Sequence, residues 1–309
     1  MVYGTPRSPD EIEPYYTDIR RGHPPTPEAL ADLTRRYAAI GGVSPLAQTT
    51  EAQRDALQSA LDEKDPGRYH VALGLKHADP KVEDAAQALA DDGFDSIIGL
   101  VLAPHFSAFS VGQYLDRARQ GVSMATRAIE VVGISSWATE PAFIEFLAAD
   151  LQPRLDEMRS STAGRVRVLF TAHSLPERTI ATGDPYVDQL RSTALAVTDR
   201  LGLIEGVDWQ IAWQSAGRTS EAWIGPDILD VIDELGADED IDGVIVCACG
   251  FVADHLEVLY DLDIEAAHRA SENDLEFDRT SCVNIDSSNF EALAEVVCQA
   301  ANDSRSRDL

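Results

Sequence analysis

Residues 80–104 read PKVEDAAQALADDGFDSIIGLVLAP, and the hydrophobic period of this stretch changes partway along it. Up to Gly93 the apolar residues recur at helical spacing, whereas residues 95–104 form an apolar run of strand length. A glycine at the change of pattern is typical of a helix C-terminus. The stretch therefore predicts a helix followed directly by a buried strand, which is the repeating unit of an α/β fold.

The same alternation extends along the chain. Strand-sized apolar runs occupy residues 68–75, 95–104, 128–134, 165–174, 208–215 and 241–249. Helical patterns lie at 80–93, from Ser110 onward, and at 140–158, 186–201, 225–235 and 288–302. Short apolar runs that alternate with helices predict βαβ units and parallel sheets. We expect two similar α/β halves that divide near residues 145–160.

The charge of the chain limits its partners. Asp and Glu number 53 against 25 Lys and Arg, which gives a formal net charge of −28 over 309 residues. Such a surface repels phosphate backbones and anionic headgroups, so nucleic acid is not expected as a partner. Self-repulsion of this size is screened by salt, and two readings stay open: a protein of a high-salt cytoplasm, or an acidic protein of an ordinary one.

Sequence features that would direct the chain out of the cytoplasm were not found. The longest apolar stretch, residues 96–104, is far shorter than the roughly 18 residues of a membrane span, and the N-terminal residues lack the pattern of a signal peptide. We expect a cytoplasmic protein. Its four cysteines, Cys247, Cys249, Cys282 and Cys298, are then expected to be thiols or metal ligands rather than disulfides.

Familiar catalytic motifs are missing, but polar signatures follow several predicted strands. The sequence has no G-x-G-x-x-G, no phosphate-binding G-x-x-x-x-G-K-[ST], no G-x-S-x-G and no H-E-x-x-H. By contrast, APHFSAFS, TAHSLPE, WQSAGRTSEAW and GFVADHLE each follow an apolar run. Since ligands of open α/β sheets bind at the carboxyl ends of strands, these segments predict one shared cleft.

Two histidines and a row of carboxylates are candidates within that cleft. His105 and His173 both follow a strand directly, where a structural hydrogen-bonding role is the commoner one. Asp254, Glu257, Asp261 and Glu265 would fall within roughly 80° of one face of an α-helix. In so acidic a chain, these four carboxylates could form a solvated helix face. The apolar residues around them instead predict that the helix is packed on both flanks, which favours a bound cation, and hard oxygen ligands suit Fe²⁺ or Mg²⁺.

The motifs together resemble one family. YGTPRSPDEIEPYYTDIRRG, RRYAAIGGVSPL, GLKHADP, VLAPHFSAFSVGQYLDRA, AHSLPE, WQSAGRT and GFVADHLEVLYDLD occur in this order from Tyr3 onward. The chain resembles the ferrochelatases, most closely the monofunctional coproporphyrin type of heme biosynthesis. The resemblance implies two Rossmann-like domains, residues 1–148 and 149–309, with the cleft between them and the last helix able to pack back on the first domain.

The resemblance also implies roles for individual residues. The histidine of AHSLPE is His173 and the glutamate of DHLEVLYD is Glu257; these two are expected to face each other at the metal side of the porphyrin. Tyr3 is expected on the opposite face, where it can ligate the inserted iron. Further matching positions are expected to line the porphyrin and its propionates: Arg20, Arg36, Tyr37, Ser44 and Tyr114.

The chemistry agrees with these roles. Two pyrrole N–H protons leave as Fe²⁺ enters, and a neutral imidazole, with a reference pKa near 6.5, suits the base and can bind the metal. Asp261 and Glu265 would pass hydrated Fe²⁺ inward or hold Mg²⁺. Fe²⁺ is then a substrate, and no organic cofactor is required. A [2Fe–2S] cluster is not expected, since the four cysteines lie elsewhere than in cluster-binding relatives.

Several alternatives stay open. The substrate could be protoporphyrin IX, and a non-catalytic porphyrin or heme carrier would need the arginine and aromatic pocket but not the acidic row. A cobalt or nickel chelatase typically relies on paired histidines, whereas this chain pairs His173 with Glu257. We expect a monomer without a transmembrane segment, in transient contact with other heme-pathway enzymes.

Overall fold

A computed structural model describes residues 1–217 and 219–307, with the side chain of residue 307 left out. Helices and strands alternate through this range. The strands are β1 (Ser96–Leu100), β2 (Glu130–Ile134), β3 (Arg165–His173), β4 (Trp209–Gln214), β5 (Ile241–Cys247) and β6 (Glu276–Arg279). The helices before β3 are α1 (Ile12–Ile19), α2 (Pro27–Ala39), α3 (Leu46–Lys64), α4 (Val82–Asp91), α5 (Val111–Met124) and α6 (Pro141–Ser161). Those after it are α7 (Arg178–Ala181), α8 (Tyr186–Leu201), α9 (Ile228–Gly236), α10 (Leu256–Leu259), α11 (Ala267–Glu272) and α12 (Ser287–Arg307).

The strands form two parallel sheets. β1 pairs with β2, and the second sheet has the order β4-β3-β5-β6 with every pair parallel. Residues 166–172 of β3 are buried throughout, as expected for a central parallel strand covered by helices on both faces. The predicted α/β class with parallel sheets flanked by helices is therefore confirmed, including the helix and strand of residues 80–104.

The predicted strand at residues 68–75 is wrong. Residues 69–74 belong to no strand, and Leu75 makes single bridges to Val2 and Lys81. The side chain of Gln58 takes the place of a neighbouring strand: its amide oxygen accepts from the Val71 N–H at 2.8 Å, and its amide nitrogen donates to the Tyr69 carbonyl at 3.1 Å. The apolar residues of this segment favour an extended backbone. Among the described residues, however, no neighbouring strand offers its N–H and C=O groups for pairing with residues 69–74.

A cavity of about 350 Å³ lies where that neighbouring strand would run. It separates residues 69–74 from β1, and α3 and α12 contribute Leu57, Leu61, Phe290 and Val297 to its wall. The amino group of Met1 is buried at one end and donates to the Leu100 carbonyl at 2.7 Å. Burial lowers the pKa of this amino group to about 5.

The expected division between residues 148 and 149 falls inside α6, which is one continuous helix. A single core cluster joins residues of both parts, among them Leu61, Leu100, Phe143, Val168 and Phe290. From the C-terminal end, α12 packs against α3, β1 and β2. The two-domain boundary stays a prediction, while the chain is continuous in helix and core across it.

The predicted single α-helix from Asp254 onward is also wrong. α10 has only four residues, and a π-helical turn, Asp261–Ala266, separates it from α11. Its i→i+5 hydrogen bond runs from the Glu265 N–H to the Tyr260 carbonyl at 2.9 Å. Asp254 precedes the helix and contacts Asn284 and Arg279 instead. It therefore leaves the predicted carboxylate row.

Candidate active site

Neighbouring parallel strands end at one edge of the second sheet, and the candidate site lies there. β3 ends at His173, β4 ends at Gln214, and the segment after β5 leads to α10. The Gln214 side chain donates to the Glu257 carbonyl at 2.8 Å, which fixes the start of α10 against β4. The predicted location at the carboxyl ends of the strands is therefore the one that brings the polar segments together.

His173 and Glu257 face each other across this edge. Nε2 of His173 lies 3.5 Å from Oε1 of Glu257, while Nδ1 of the same ring donates to the Ser174 carbonyl at 2.5 Å. Because Nδ1–H is held by a carbonyl, Nε2 is the nitrogen that is free for chemistry in the neutral ring. About a third of each side chain is exposed, 34% and 32%, so a ligand can reach both.

Glu257 lies between two imidazoles. Nε2 of His255 is 3.4 Å from its second carboxylate oxygen, Oε2. Sequence reasoning assigned no role to His255; its position two residues before Glu257 was the available signal, but the extended backbone at His255 is what turns it toward the carboxylate. The centre is therefore a His–Glu–His triad rather than a pair.

The triad changes the protonation of its members. Burial lowers the pKa of His173, but the charge and hydrogen bond of Glu257 outweigh it and raise that pKa to about 9. Burial likewise raises the pKa of Glu257, and the two imidazoles outweigh it, holding that pKa well below its usual range. In the absence of ligand, the neutral-pH form is thus an imidazolium facing a carboxylate.

Asp261 and Glu265 continue the row outward from Glu257. Asp261 is only 5% exposed and accepts from the Ser215 hydroxyl at 2.5 Å, whereas nearly half of the Glu265 side chain is exposed. Burial, opposed by Arg36, raises the pKa of Asp261 to about 6.

Arg36 lies in this row and not among the other expected porphyrin residues. Its guanidinium forms an ion pair with Oδ1 of Asp261 and lies 3.7 Å from Glu265. The guanidinium carbon also stands 4.6 Å from the ring centre of Tyr260. α2 of the first half thereby contacts the acidic segment of the second half.

The expected tyrosines form a wall on the N-terminal side. Tyr3 is 41% exposed, and its ring centre is 4.6 Å from that of His77. Tyr37 is buried, with its hydroxyl 3.2 Å from that of Thr5, and Tyr114 is buried beneath the Lys76 ammonium at 5.2 Å. Partial desolvation, and after it the charge of Glu257, raise the pKa of Tyr3.

Ser44 and Arg20 have different surroundings. The Ser44 hydroxyl is buried and accepts from the Leu46 N–H at 3.2 Å, so it stabilises the start of α3. Arg20 is exposed at the end of α1, with its guanidinium carbon 5.8 Å from the ring centre of Tyr16. Arg20 is therefore available to an anion, whereas Ser44 is already bonded.

Lys76 and His77 are residues of the tyrosine wall that sequence reasoning left without a role. Burial and the nearby Arg117 and Arg21 lower the pKa of Lys76 to about 8. Nδ1 of His77 lies 2.7 Å from Asp18, and burial lowers the pKa of His77 to about 4. Their motif, GLKHADP, could be seen in the sequence. Their contact with Tyr3 could not, because it depends on the pairing of Val2 with Leu75, which brings Tyr3 beside Lys76.

His105 and three of the four cysteines are buried within the protein. The His105 ring is buried, with Nε2 2.8 Å from the Thr193 hydroxyl, and burial lowers its pKa to about 3. Cys247, Cys249 and Cys282 are buried free thiols, and Cys298 is half-buried. Burial raises the pKa of Cys249 and of Cys282 well above the usual value, which disfavours the thiolate that metals bind.

Within residues 1–217 and 219–307, no group of three or more His, Cys, Asp or Glu side chains is arranged to hold a metal ion. In the same part of the chain, no helix is both long and apolar enough to cross a membrane.

Comparison with known proteins identifies the family. The sequence profile described as Ferrochelatase matches residues 1–301. The chain belongs to the ferrochelatase family. A ferrochelatase of Herpetosiphon aurantiacus is 40% identical over 297 residues, covering 96% of this chain and 96% of that protein.

Other relatives in the family carry a more specific name. A coproporphyrin III ferrochelatase of Bacillus mycoides is 43% identical over 96% of this chain and 94% of its own length. One of Oceanobacillus iheyensis is 41% identical over 97% and 95%. Among solved structures, a Deinococcus radiodurans protein titled as similar to chelatases aligns with a TM-score of 0.47 and 13% identity over 82% of this chain and 51% of its own.

Proposed function

We propose that the protein inserts Fe²⁺ into coproporphyrin III to give the iron porphyrin of heme biosynthesis, a lyase reaction without an organic cofactor. The observation that carries the proposal is the triad of His173, Glu257 and His255 at the carboxyl ends of the strands. Relatives of this chain named coproporphyrin III ferrochelatase support the choice of porphyrin.

His173 is proposed as the base that receives a pyrrole proton and as a transient ligand of the metal. Its Nε2 is directed at Glu257, and with the Nδ1–H held by Ser174 it can accept a proton only at that nitrogen. An Fe²⁺ ion that approaches Nε2 disfavours the imidazolium form of His173. The iron and the proton therefore replace each other at the same nitrogen. Glu257 accepts the proton or holds the iron on the other side, and His255 keeps its carboxylate in position.

The opposite side of the cleft is proposed to hold the macrocycle. Tyr3 is proposed to meet the inserted iron, and Tyr37 and Tyr114 to support the apolar wall behind it. Lys76 and Arg20 supply positive charge for propionates, which arginine binds bidentately. Ser44 would act through the start of α3, since its hydroxyl is already bonded within the protein.

An anaerobic assay tests this proposal. Fe²⁺ is added to the protein with coproporphyrin III or with protoporphyrin IX, and the absorbance change to the metallated product is followed. We expect faster turnover with coproporphyrin III, whose four propionates use more cationic donors. Faster turnover with protoporphyrin IX would reassign the substrate, and tight porphyrin binding without metallation would identify a carrier.

Three further parts of the proposal concern the protein in the cell. It is proposed to act in the cytoplasm, as a monomer, with transient contacts to the enzymes that make its porphyrin and consume its product. Sedimentation velocity at micromolar concentration tests the monomer.

The cleft is proposed to lie between residues 1–148 and 149–309, which the Arg36–Asp261 contact between the two parts supports.

A further inference from the structure

Gln214, the last residue of β4, forms hydrogen bonds on both sides of the candidate site. In the sheet register it lies beside His173, the last residue of β3. Its backbone carbonyl accepts from the Ser174 N–H at 2.8 Å, and its side-chain amide donates to the Glu257 carbonyl at 2.8 Å. One residue therefore connects the end of the strand that carries His173 with the helix that carries Glu257.

The connection to His173 runs through Ser174. The Ser174 carbonyl accepts from Nδ1 of His173 at 2.5 Å and so orients the imidazole ring. Ser174 is held by its other polar groups as well, since its N–H donates to Gln214 and its hydroxyl donates to the Ile224 carbonyl at 2.7 Å. The position of Nε2 of His173 therefore depends on a backbone that Gln214 helps to fix.

The connection to Glu257 is made by the Gln214 side chain alone. α10 is a single turn of four residues, and the internal hydrogen bonds of so short a helix do not stabilise it by themselves. Gln214 is only 1% exposed, so water does not compete for its bond to the Glu257 carbonyl. Because this bond holds the backbone of Glu257 itself, its loss would displace the carboxylate as well.

We infer that Gln214 is a positioning residue for metal insertion, which holds the carboxylate of Glu257 opposite Nε2 of His173. This inference rests on the function proposed above. Gln214 acts through the backbone of Glu257 and of Ser174, and the reaction requires no contact between Gln214 and the metal or the porphyrin.

Stability alone does not explain an amide at this position. Oε1 of Gln214 is buried and has no hydrogen-bond partner among the residues that the structure describes. A buried acceptor without a partner opposes folding by at least as much as one hydrogen bond contributes to it. Methionine is similarly long and unbranched, so Gln214→Met removes the bond to Glu257 together with the unpartnered oxygen. We therefore expect this variant to fold with little change in Tm.

Gln53 offers a matched control. It is also a buried glutamine, 1% exposed, and its side-chain amide donates to a backbone carbonyl, that of Asn284, at 2.7 Å. Gln53→Met therefore removes the same kind of hydrogen bond at another place in the fold. Gln214→Glu is a second variant of the site, with the shape of glutamine but a carboxylate that cannot donate to the Glu257 carbonyl.

Three quantities test the inference: the kcat and KM with coproporphyrin III, the ¹⁵N signal of His173 Nε2 at neutral pH, and Tm. Displacing a carboxylate from its working position is expected to lower kcat on the order of tenfold in Gln214→Met and in Gln214→Glu. The porphyrin KM is expected to stay within about twofold of wild type, because the residues proposed to hold the macrocycle are unchanged.

The ¹⁵N signal reports the contact between His173 and Glu257 directly. Assigned by its absence in His173→Ala, it is expected to shift in Gln214→Met, because the carboxylate no longer stands opposite Nε2. Gln53→Met is expected to keep both the wild-type kcat and the wild-type His173 signal.

The contrary outcomes differ from one another. An unchanged kcat and an unchanged His173 signal in Gln214→Met would refute the inference, whether or not Tm falls. A raised porphyrin KM with an unchanged kcat would instead assign Gln214 to the porphyrin site. If the wild-type protein inserts no iron, the function proposed above fails, while the His173 signal in Gln214→Met still tests whether Gln214 holds Glu257 in place.

Discussion

Nε2 of His173 lies 3.5 Å from the carboxylate of Glu257, and the two residues come from elements 84 positions apart in the chain. This contact links the end of a central strand to the start of a four-residue helix. Burial alone would favour the neutral imidazole of His173. The carboxylate of Glu257 outweighs burial and raises the pKa of His173 to about 9. The first two predictions follow from it.

Replacing His173 by alanine is expected to separate porphyrin binding from metal insertion. The variant lacks the base that we propose accepts the pyrrole proton, so the turnover number should fall by about 100-fold or more. Porphyrin affinity, measured by fluorescence quenching, should stay near that of wild type. His268→Ala is the control, since 74% of the His268 side chain is exposed and its partner is Glu272. Near-normal turnover in His173→Ala would refute the role of the base.

Replacing Glu257 by glutamine is expected to lower the pKa of His173 from about 9, because the charge and hydrogen bond that most strongly oppose burial are removed, while the Ser174 carbonyl and the charge of Asp261 remain. The imidazole proton signals in a pH titration followed by NMR measure this change. The acid limb of kcat/KM should move to lower pH in the same direction, although the rate itself falls. Asp254→Asn is the control, because Asp254 contacts Asn284 and Arg279; a His173 pKa that stays near 9 in Glu257→Gln would contradict the prediction.

The cavity beside β1 predicts that an engineered extension stabilises the protein. Five alternating valine and threonine residues placed before Met1 would continue the hydrogen bonds that Met1 and Val2 make with Leu100, Gly74 and Lys76. Each kcal/mol gained should raise Tm by roughly 2–4 °C. A Gly-Ser extension of equal length is the control. Equal Tm values for the two extensions would mean that the cavity does not accept a strand.

The net charge of −28 predicts that salt stabilises the protein. The Debye length shrinks from about 10 Å at 0.1 M to about 3 Å at 1 M, which screens repulsion among the carboxylates. Exposed ion pairs such as Arg7–Glu51 weaken at the same time, but each contributes little. We expect Tm to rise steadily between 0.1 and 2 M KCl. A Tm that is independent of salt would contradict the hypothesis of a protein from a high-salt cytoplasm.

Local patterns predicted the α/β class, most element positions and the edge of the sheet where His173 lies. They did not predict the π turn after Tyr260, because its six residues are too few for the spacing of apolar residues to distinguish a π-helical turn from an α-helical one. Nor did they predict that Arg36 pairs with Asp261, a contact between residues 225 positions apart. The strand predicted at residues 68–75 was wrong because apolar composition is a local property. A strand also needs a neighbouring strand, and the described part of the fold places none there.

The same missing partner decides which part of the molecule opens first. Residues 69–74 are held at Tyr69 and Val71 by one side chain, Gln58, and at Gly74 by Val2, where a sheet would supply a continuous ladder. Segments with few backbone hydrogen bonds beside an empty volume open at the lowest free energy. Local opening is therefore expected to begin at residues 69–74, and Met1–Tyr3, whose backbone bonds to residues 74–77, opens with them. The position of Tyr3 thus depends on a segment whose backbone is held at Tyr69 and Val71 by the amide side chain of Gln58.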